Sequence, residues 1–192
     1  MIIWINGAFG AGKTQTAIAL RHRLPNAFIY DPEEAGFYIR KHIPKSMQKP
    51  EFQEHELWRS IVYEHLAYMA ANTEDVIIVP MTITDPTYYK EIIGNLRLEG
   101  HQTYHLVLTA SEETLRVRLA KRGNKQISWA VQQIPRCVQG LSNPIFENKL
   151  VTDNMSIAEV VEAIGSQTGL HLQKDHRSRW KAHWPRLTSR WR

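Results

Sequence analysis

A glycine-rich stretch near the start of the 192-residue sequence has the residue types and spacing of a phosphate-binding loop. It reads GAFGAGKT over residues 7–14, after an apolar run and before a segment of helical periodicity. A polyphosphate needs converging backbone N–H groups, glycines that allow unusual backbone angles, and a helix N-terminus behind them. Lys13 would bind the β- and γ-phosphates, and the Thr14 hydroxyl would bind Mg²⁺. We therefore predict an ATP and Mg²⁺ site. Its predicted loop contacts are Gly7, Ala8, Phe9, Gly10, Ala11, Gly12, Lys13, Thr14 and Gln15.

An acidic residue, Asp31, closes the second strand candidate, AFIYD at 27–31. The carboxyl ends of parallel strands meet at one edge of a sheet, so Asp31 would face the same crevice as the glycine loop. A carboxylate there could accept a hydroxyl proton or orient a magnesium-bound water. Asp before Pro is also a favoured helix entry, so Asp31 could cap the helix that begins near Glu33. The two roles are compatible with each other.

Two arginines, Arg118 and Arg122, lie four residues apart on one face of a helical segment, just before a polar stretch. Arginines in this position can stabilise a transferring phosphoryl group, whose charge spreads over its oxygens. A solvated basic helix face is the alternative, and the spacing by itself favours it.

The third apolar run, VIIVPMTIT at 76–84, has no acidic residue at its end. Motor and switch ATPases hold Mg²⁺ with an acid at that point. Asp75 precedes the run and Asp85 lies beyond it, so the sequence weakens an interpretation as a motor ATPase.

Five apolar segments alternate with helical ones and must position these residues. The predicted strands lie at 1–6, 27–31, 75–82, 103–110 and 149–153. Such alternation predicts an α/β fold with a parallel sheet, helices on both faces and ligands at the carboxyl ends of the strands. The glycine loop lies at that end.

The composition is that of an ordinary globular protein, with 43% hydrophobic and 22% charged residues. No stretch approaches the roughly 20 apolar residues of a membrane span. The first residues lack the basic region and apolar core of a leader, so we do not expect export, and the single cysteine, Cys137, cannot form an internal disulfide. Nine histidines show no zinc-like spacing with cysteine. We expect a cytoplasmic protein without a structural metal.

The C-terminal segment 171–192 accounts for the net positive charge of the chain. It holds seven of the 24 basic residues but one of the 19 acidic residues. Trp180, Trp184 and Trp191 follow helical spacing within it, although Pro185 interrupts the pattern. A solvated terminus, peripheral contact with an anionic membrane, and nucleic-acid binding are the alternatives that this pattern leaves open.

Taken together, four motifs resemble those of the small-molecule and nucleoside monophosphate kinase group. They are GAFGAGKT, the Asp closing the second strand, LxxRLxxR at 115–122 and TDNxSIxEVVEAI at 152–164. The resemblance implies a three-layer P-loop NTPase fold, with five parallel strands in the order 2-3-1-4-5. It also implies a short lid at about 122–130, within a kinase-like domain at 1–170 that precedes the basic tail.

The same resemblance implies roles for individual residues. Arg118 would stack near adenine and Arg122 would reach phosphate. Arg136 would match the arginine that follows the lid and would also bind the nucleotide. On the acceptor side it implies Arg40 as a substrate contact and places Phe37, Tyr38, Trp58 and Tyr63 nearby, although aromatic residues on amphipathic helices are more often core. The missing strand-three acid and the short lid depart from adenylate kinases. Both departures favour a non-nucleotide or antibiotic-like hydroxyl acceptor.

A closer resemblance, over about residues 1–165, is to the tunicamycin-resistance proteins. It is carried by stretches that include YDPEEAGF at 30–37 and PIFENKLVTDN at 144–154. It implies protection from a nucleoside antibiotic, by phosphorylation or by ATP-dependent sequestration. Our leading hypothesis is an ATP-dependent kinase of a small molecule, in which Lys13, Arg118 and Arg122 stabilise the phosphoryl group and Asp31 activates the acceptor. A nucleic-acid-dependent ATPase ranks last, and the protein is expected to be a monomer or a homodimer.

Overall fold

A sheet of five parallel strands forms the centre of the computed structural model, which describes residues 1–121 and 127–175. The strands lie in the order β2-β3-β1-β4-β5, and every neighbouring pair is parallel. They are β1 (Ile2–Gly7), β2 (Ala27–Ile29), β3 (Val76–Val79), β4 (Thr103–Thr109) and β5 (Lys149–Val151). The predicted three-layer P-loop fold and its strand order are therefore confirmed.

Helices connect the strands and cover the sheet. In the described residues they are α1 (Lys13–His22), α2 (Pro32–His42), α3 (Glu56–Asn72), α4 (Pro86–Tyr89), α5 (Asn95–Leu98), α6 (Glu112–Ala120), α7 (Ile127–Leu141) and α8 (Ile157–Thr168). A π-helical turn, Lys90–Gly94, joins α4 to α5, so the helix predicted there is continuous but not uniformly α-helical. None of the helices in the described parts is long and apolar enough to cross a bilayer.

Side chains of the central strand β1 divide the core into two clusters. Ile3 and Ile5 pack with α1, α6, α7 and α8, whereas Ile2 and Trp4 pack with α2, α3 and the α4–α5 helix. Successive residues of a strand point to opposite faces, and helices bury both faces here. This explains why β1 is apolar without alternation. Packing on both faces also fixes the position of β1, and therefore of the loop that follows it.

Two strands are shorter than the sequence predicted. β2 ends at Ile29 rather than residue 31, and β3 ends at Val79 rather than residue 82. Pro80 has no N–H group to continue the ladder. The chain instead leaves the sheet and is held by the Trp4 indole, whose Nε1 donates to Met81 O at 3.0 Å.

Two predicted regions fall wholly or partly outside the described residues. Of the lid predicted at 122–130, residues 122–126 lie outside, and residues 127–130 form the first turn of α7. The predicted Arg122 is therefore not placed by the structure. The tail is described only to residue 175.

Candidate active site

The glycine loop has the backbone conformation that a phosphate cradle requires. Gly7, Gly10 and Gly12 have φ values of +148°, +88° and +99°, in the region that other residues rarely adopt. A Cβ on Gly10 would lie 2.7 Å from Leu115 O of α6, so this glycine also allows close packing. Around Gly12 the nearest atom to such a Cβ is Ile157 Cδ1, at 3.4 Å. The loop therefore fits a polyphosphate at the N-terminus of α1.

Lys13 lies over this loop. Its Nζ donates to Gly7 O at 2.8 Å and to Ala8 O at 3.1 Å, and it lies 5.6 Å from the centroid of the Phe9 ring. Thr14 and Gln15 are half-buried in the first turn of α1. The ammonium is thus held by neutral carbonyl oxygens. Phosphate oxygens carry negative charge and accept stronger hydrogen bonds, so they would readily replace these carbonyl groups. This arrangement suits the predicted ATP and Mg²⁺ site.

Asn6, which the sequence analysis missed, fastens the start of the loop to the chain beyond β3. The side chain is fully buried, and its Oδ1 accepts from Gly7 N at 2.7 Å and from Ile83 N at 3.0 Å. Its Nδ2 donates to Ile83 O at 2.8 Å and to His105 Nε2 at 3.1 Å. All the hydrogen-bonding capacity of the amide is therefore used to hold the loop in place.

His105 is a neutral imidazole behind this contact. Burial, with a smaller effect from Arg97, lowers the pKa of His105 from 6.5 to about 3. Because Nε2 accepts from Asn6, Nδ1 carries the proton, and Nδ1 has no hydrogen-bond partner in the described part of the chain. His105 therefore orients the Asn6 amide without adding charge to the site.

Thr82 occupies the region beyond β3 where the sequence lacks an acid. Its hydroxyl donates to Gly7 O at 2.8 Å, the carbonyl that also accepts from Lys13. The Gln53 side chain donates to Thr82 O at 2.7 Å from the 3₁₀ turn Phe52–Glu54. A continuous set of hydrogen bonds thus joins the segment between α2 and α3 to the glycine loop.

Asp31 caps α2, as one of its two predicted roles required. Its Oδ1 accepts from Glu33 N at 3.0 Å. Glu33 keeps an exposed face, but desolvation raises the pKa of its carboxyl, and the Asp31 charge raises it further. Lys13 acts in the opposite direction and lowers it. The charges of Asp31 and of the loop lysine therefore both act on the Glu33 carboxyl, and Glu33 is a candidate that the sequence analysis overlooked.

A cavity of about 470 Å³ opens on the other side of the loop. The glycine loop, α1, α6 and the β5–α8 connection line it, with Gly12, Arg118 and Thr152 among the lining residues. Its volume suits a small ligand, and it lies beside the phosphate cradle.

Arg118 forms a wall of this cavity. Its guanidinium donates to Thr152 Oγ1 at 3.1 Å, to Thr152 O and to Asp153 O at 3.4 Å. Hydrogen bonds from Ser111 and Thr114, with a smaller effect of Arg118, lower the pKa of Asp153 to about 2. The planar guanidinium is therefore fixed against the β5–α8 connection, where it can stack on a base. A direct role in catalysis stays a prediction.

The predicted acceptor residues Phe37 and Arg40 lie together on α2. Phe37 is 53% exposed and contacts Phe52 edge-on, with ring centroids 6.4 Å apart. The Arg40 guanidinium lies over Phe52, at 5.7 Å from the ring centroid, and donates to Pro50 O. Tyr38 is exposed and stacks on His42 of the same helix.

The other predicted contacts have different surroundings. Trp58 is fully buried and its Nε1 donates to Pro32 O at 2.9 Å, so it presents no surface to a ligand and instead positions the start of α2. The Tyr63 hydroxyl donates to Glu99 and so joins α3 to the end of α5. Arg136 is exposed and pairs with Glu51 at 3.5 Å.

Trp129 of α7 is a further aromatic at the loop that the sequence analysis missed. It is 48% exposed, and its ring meets that of Phe9 edge-on at 5.1 Å. Within the described ranges, no group of three or more His, Cys, Asp or Glu residues could hold a metal ion.

Comparisons with known proteins agree with this geometry. Residues 2–137 match a sequence family described as an AAA domain, and no curated protein matches the sequence. The tunicamycin resistance protein of Deinococcus radiodurans is 30% identical with a TM-score of 0.76, over 90% of this chain and 98% of that chain.

Two further solved structures share the fold. A shikimate kinase from Bacteroides thetaiotaomicron is 20% identical with a TM-score of 0.59, over 88% of this chain and 99% of that one. A gluconokinase from Sinorhizobium meliloti 1021 is 17% identical with a TM-score of 0.57, over 87% of this chain and 90% of the other. The chain therefore belongs to the AAA-domain family of P-loop, kinase-like proteins and, within it, to the tunicamycin-resistance group.

Proposed function

We propose that the protein transfers the γ-phosphoryl group of ATP to a hydroxyl group of a small molecule. The observation that carries the proposal is that Asp31, the residue that caps α2, and the loop lysine Lys13 both lie close enough to Glu33 for their charges to act on its carboxyl group. A γ-phosphate bound by Lys13 would lie beside a carboxylate able to accept the acceptor's hydroxyl proton. The nucleoside would occupy the cavity walled by Arg118.

In the proposed reaction, the acceptor oxygen forms a bond to the γ-phosphorus. The bond between that phosphorus and the bridging oxygen breaks, and ADP leaves with the electron pair. Asp31 takes the proton, while Lys13 stabilises the charge on the phosphoryl oxygens. Mg²⁺, when bound through Thr14, would neutralise phosphate charge. Arg122 stays a predicted second cation.

The acceptor that we propose is a nucleoside antibiotic such as tunicamycin. The support is the similarity to a tunicamycin resistance protein, together with the exposed aromatic surface of Phe37 beside Arg40. Aromatic rings can pack on the apolar parts of such a ligand, and a guanidinium can hydrogen-bond its polar groups.

The test is ADP formation from ATP with tunicamycin and a panel of hydroxylated antibiotics, with mass spectrometry of the acceptor. We expect ADP formation to depend on one acceptor, which gains a phosphoryl group. Asp31→Asn is the informative variant, because asparagine is an equally good helix cap but a much weaker base. It should retain ATP binding and lose transfer, while Glu33→Gln shows whether the neighbouring carboxylate serves instead. ADP formation that no acceptor stimulates would count against the proposal.

The alternative is a protein that closes over its ligand with ATP and releases it unchanged. The hydrogen bond from Glu33 N to Asp31 favours this alternative, since capping explains the carboxylate without any chemistry. In this case the bound antibiotic is recovered unmodified, and Asp31→Asn protects cells as well as the original protein does.

A further inference from the structure

The carboxylate of Asp153 joins the β5–α8 connection to the start of α6. Its Oδ1 accepts from Ser111 N at 2.9 Å and from Thr114 Oγ1 at 2.8 Å. Ser111 is the N-cap of α6, and 42 positions separate it from Asp153 in the sequence. The contact therefore fastens two elements that only the folded domain brings together.

Asp153 is ionised at neutral pH. The hydrogen bonds from Ser111 and Thr114, with a smaller effect of Arg118, lower the pKa of its carboxyl group to about 2. The Thr114 hydroxyl is oriented in turn, because Ser111 Oγ donates to it at 2.9 Å. Hydrogen bonds to a charged acceptor are about twice as strong as those between neutral groups. The first residues of the β5–α8 connection are thus held firmly against α6.

Arg118 lies on the same face of α6, one turn after Thr114. Its guanidinium donates to Thr152 Oγ1 at 3.1 Å, to Thr152 O and to Asp153 O at 3.4 Å. Thr152 is itself anchored in the sheet, since its N–H and its hydroxyl donate to Thr109 O at 2.8 and 3.0 Å. The acceptors of the guanidinium are therefore supplied by Asp153 and by the residue before it.

These contacts fix the plane of the Arg118 guanidinium. They lie along its edge, and a guanidinium that is held by its edge can stack its face on a nucleobase. Arg118 and Thr152 both line the cavity beside the glycine loop, together with Gly12. Because both terminal nitrogens of Arg118 donate to the β5–α8 connection, the face of the guanidinium is the part best able to contact a ligand.

We propose that Asp153 is a positioning residue for nucleoside binding. It holds the β5–α8 connection against α6 and so fixes Arg118 in the orientation that stacks on the base. The proposal rests on the proposed function, which places the nucleoside in this cavity. It gives Asp153 and Arg118 no contact with the phosphates, which Lys13 and the glycine loop bind.

Two ligands separate nucleoside binding from phosphate binding in calorimetry on the full-length protein. They are a non-hydrolysable ATP analogue and inorganic tripolyphosphate, each with Mg²⁺. Asp153→Ala should bind the analogue about fivefold more weakly, the effect of losing about one net hydrogen bond, and should bind tripolyphosphate as the original protein does. Asp153→Asn keeps an acceptor oxygen and should lose only about twofold in affinity for the analogue.

Glu159→Ala is the matched control. The Glu159 carboxylate also accepts from an N-cap serine, at 2.7 Å from both Ser156 N and Ser156 Oγ, but both residues belong to the start of α8. This variant should bind both ligands as the original protein does. Thr114→Val is a milder second variant, which removes one hydrogen bond to Asp153 and keeps the carboxylate. It should weaken binding of the analogue about twofold, and it serves where Asp153→Ala lowers stability too far.

A double-mutant cycle tests whether Asp153 acts through Arg118. Arg118→Met should weaken binding of the analogue at least as much as Asp153→Ala does, without affecting tripolyphosphate. Adding Asp153→Ala to Arg118→Met should then cost nothing further, because the residue that Asp153 positions is already absent. Additive losses would show that Asp153 acts on the ligand by another route, and would overturn the proposal.

Three other outcomes would also overturn it. A parallel loss of tripolyphosphate affinity in Asp153→Ala would show that the substitution disturbs the glycine loop. Unchanged affinity for the analogue in Asp153→Ala and in Thr114→Val would show that Arg118 keeps its orientation without this carboxylate. Either result leaves the proposed function intact. If the original protein bound the ATP analogue not at all, the proposed function would fail together with the role of Asp153.

Discussion

Replacing Asn6 with leucine tests how the glycine loop is held in its active shape. Asn6 is fully buried, and its amide makes hydrogen bonds to Gly7 N, to Ile83 N and O, and to His105 Nε2. Leucine has a similar size and no polar atoms. The substitution therefore removes the hydrogen bonds with little change in volume.

The expected cost follows from these contacts. A typical hydrogen bond contributes about 1 kcal/mol net, and each buried polar group left without a partner costs about 1–3 kcal/mol. Asn6→Leu strands two backbone N–H groups and one backbone carbonyl. We expect the free energy of unfolding to fall by about 4 kcal/mol, a large part of the roughly 5–15 kcal/mol of an ordinary domain.

Urea unfolding followed by tryptophan fluorescence and circular dichroism measures this loss. Asn72→Leu is the matched control, because Asn72 is exposed at the end of α3 and its side chain donates to Tyr68 O of the same helix. It should change stability by less than about 0.5 kcal/mol. The Asn6 variant should also bind ATP more weakly, since Gly7 N loses its orientation. A loss below about 1 kcal/mol for Asn6→Leu would refute the reasoning.

Three further predictions follow from the same region. Between about pH 3 and 6.5 the unfolded chain binds a proton at His105 that the buried side chain of the native state does not bind. The free energy of unfolding should therefore fall from pH 6.5 to pH 5 by about 2 kcal/mol more than that of a His105→Gln variant, as measured by urea unfolding at each pH. Identical pH profiles of the two proteins would contradict this. Gly10→Ala should lower the free energy of unfolding, measured by thermal unfolding, by at least about 2 kcal/mol more than Gly100→Ala. Both glycines have positive φ, but a Cβ at Gly10 would lie 2.7 Å from a backbone oxygen, whereas a Cβ at Gly100 would meet nothing within 4 Å. Similar losses of stability would show that the close contact at Gly10 relaxes. Thr82→Val should weaken ATP binding about fivefold, as measured by calorimetry, because one hydrogen bond to the glycine loop is lost. Thr82→Ser keeps the hydroxyl and should bind ATP as the original protein does. Equal affinities of all three forms would argue against a role for this hydrogen bond.

Much of the fold was accessible from the sequence because its signals are local. The apolar runs, the glycine loop and the cap at Asp31 depend on neighbouring residues, and the structure has each of them. Asp85 caps α4 in the same way. Strand ends were less accessible, since β3 stops where Pro80 turns the chain toward partners in β1.

The candidate site was only partly accessible. Helical periodicity does not distinguish an aromatic residue that faces the core from one that faces a cleft, so Trp58 was grouped with Phe37 although only Phe37 is exposed. Glu33 was overlooked because its perturbed pKa arises from burial and from nearby charges, which a linear reading does not contain.

The sequence by itself determined that the chain makes a phosphate-binding loop between a buried strand and a helix, because that conformation is set by glycines and by residues within one turn of each other. Only the tertiary structure decided what holds the loop and what surrounds it. Asn6 and Ile83 are separated by 77 residues, and Arg118 and Thr152 by 34. Such contacts depend on how strands and helices pack in three dimensions, where each buried polar group takes whichever partner the fold brings to it.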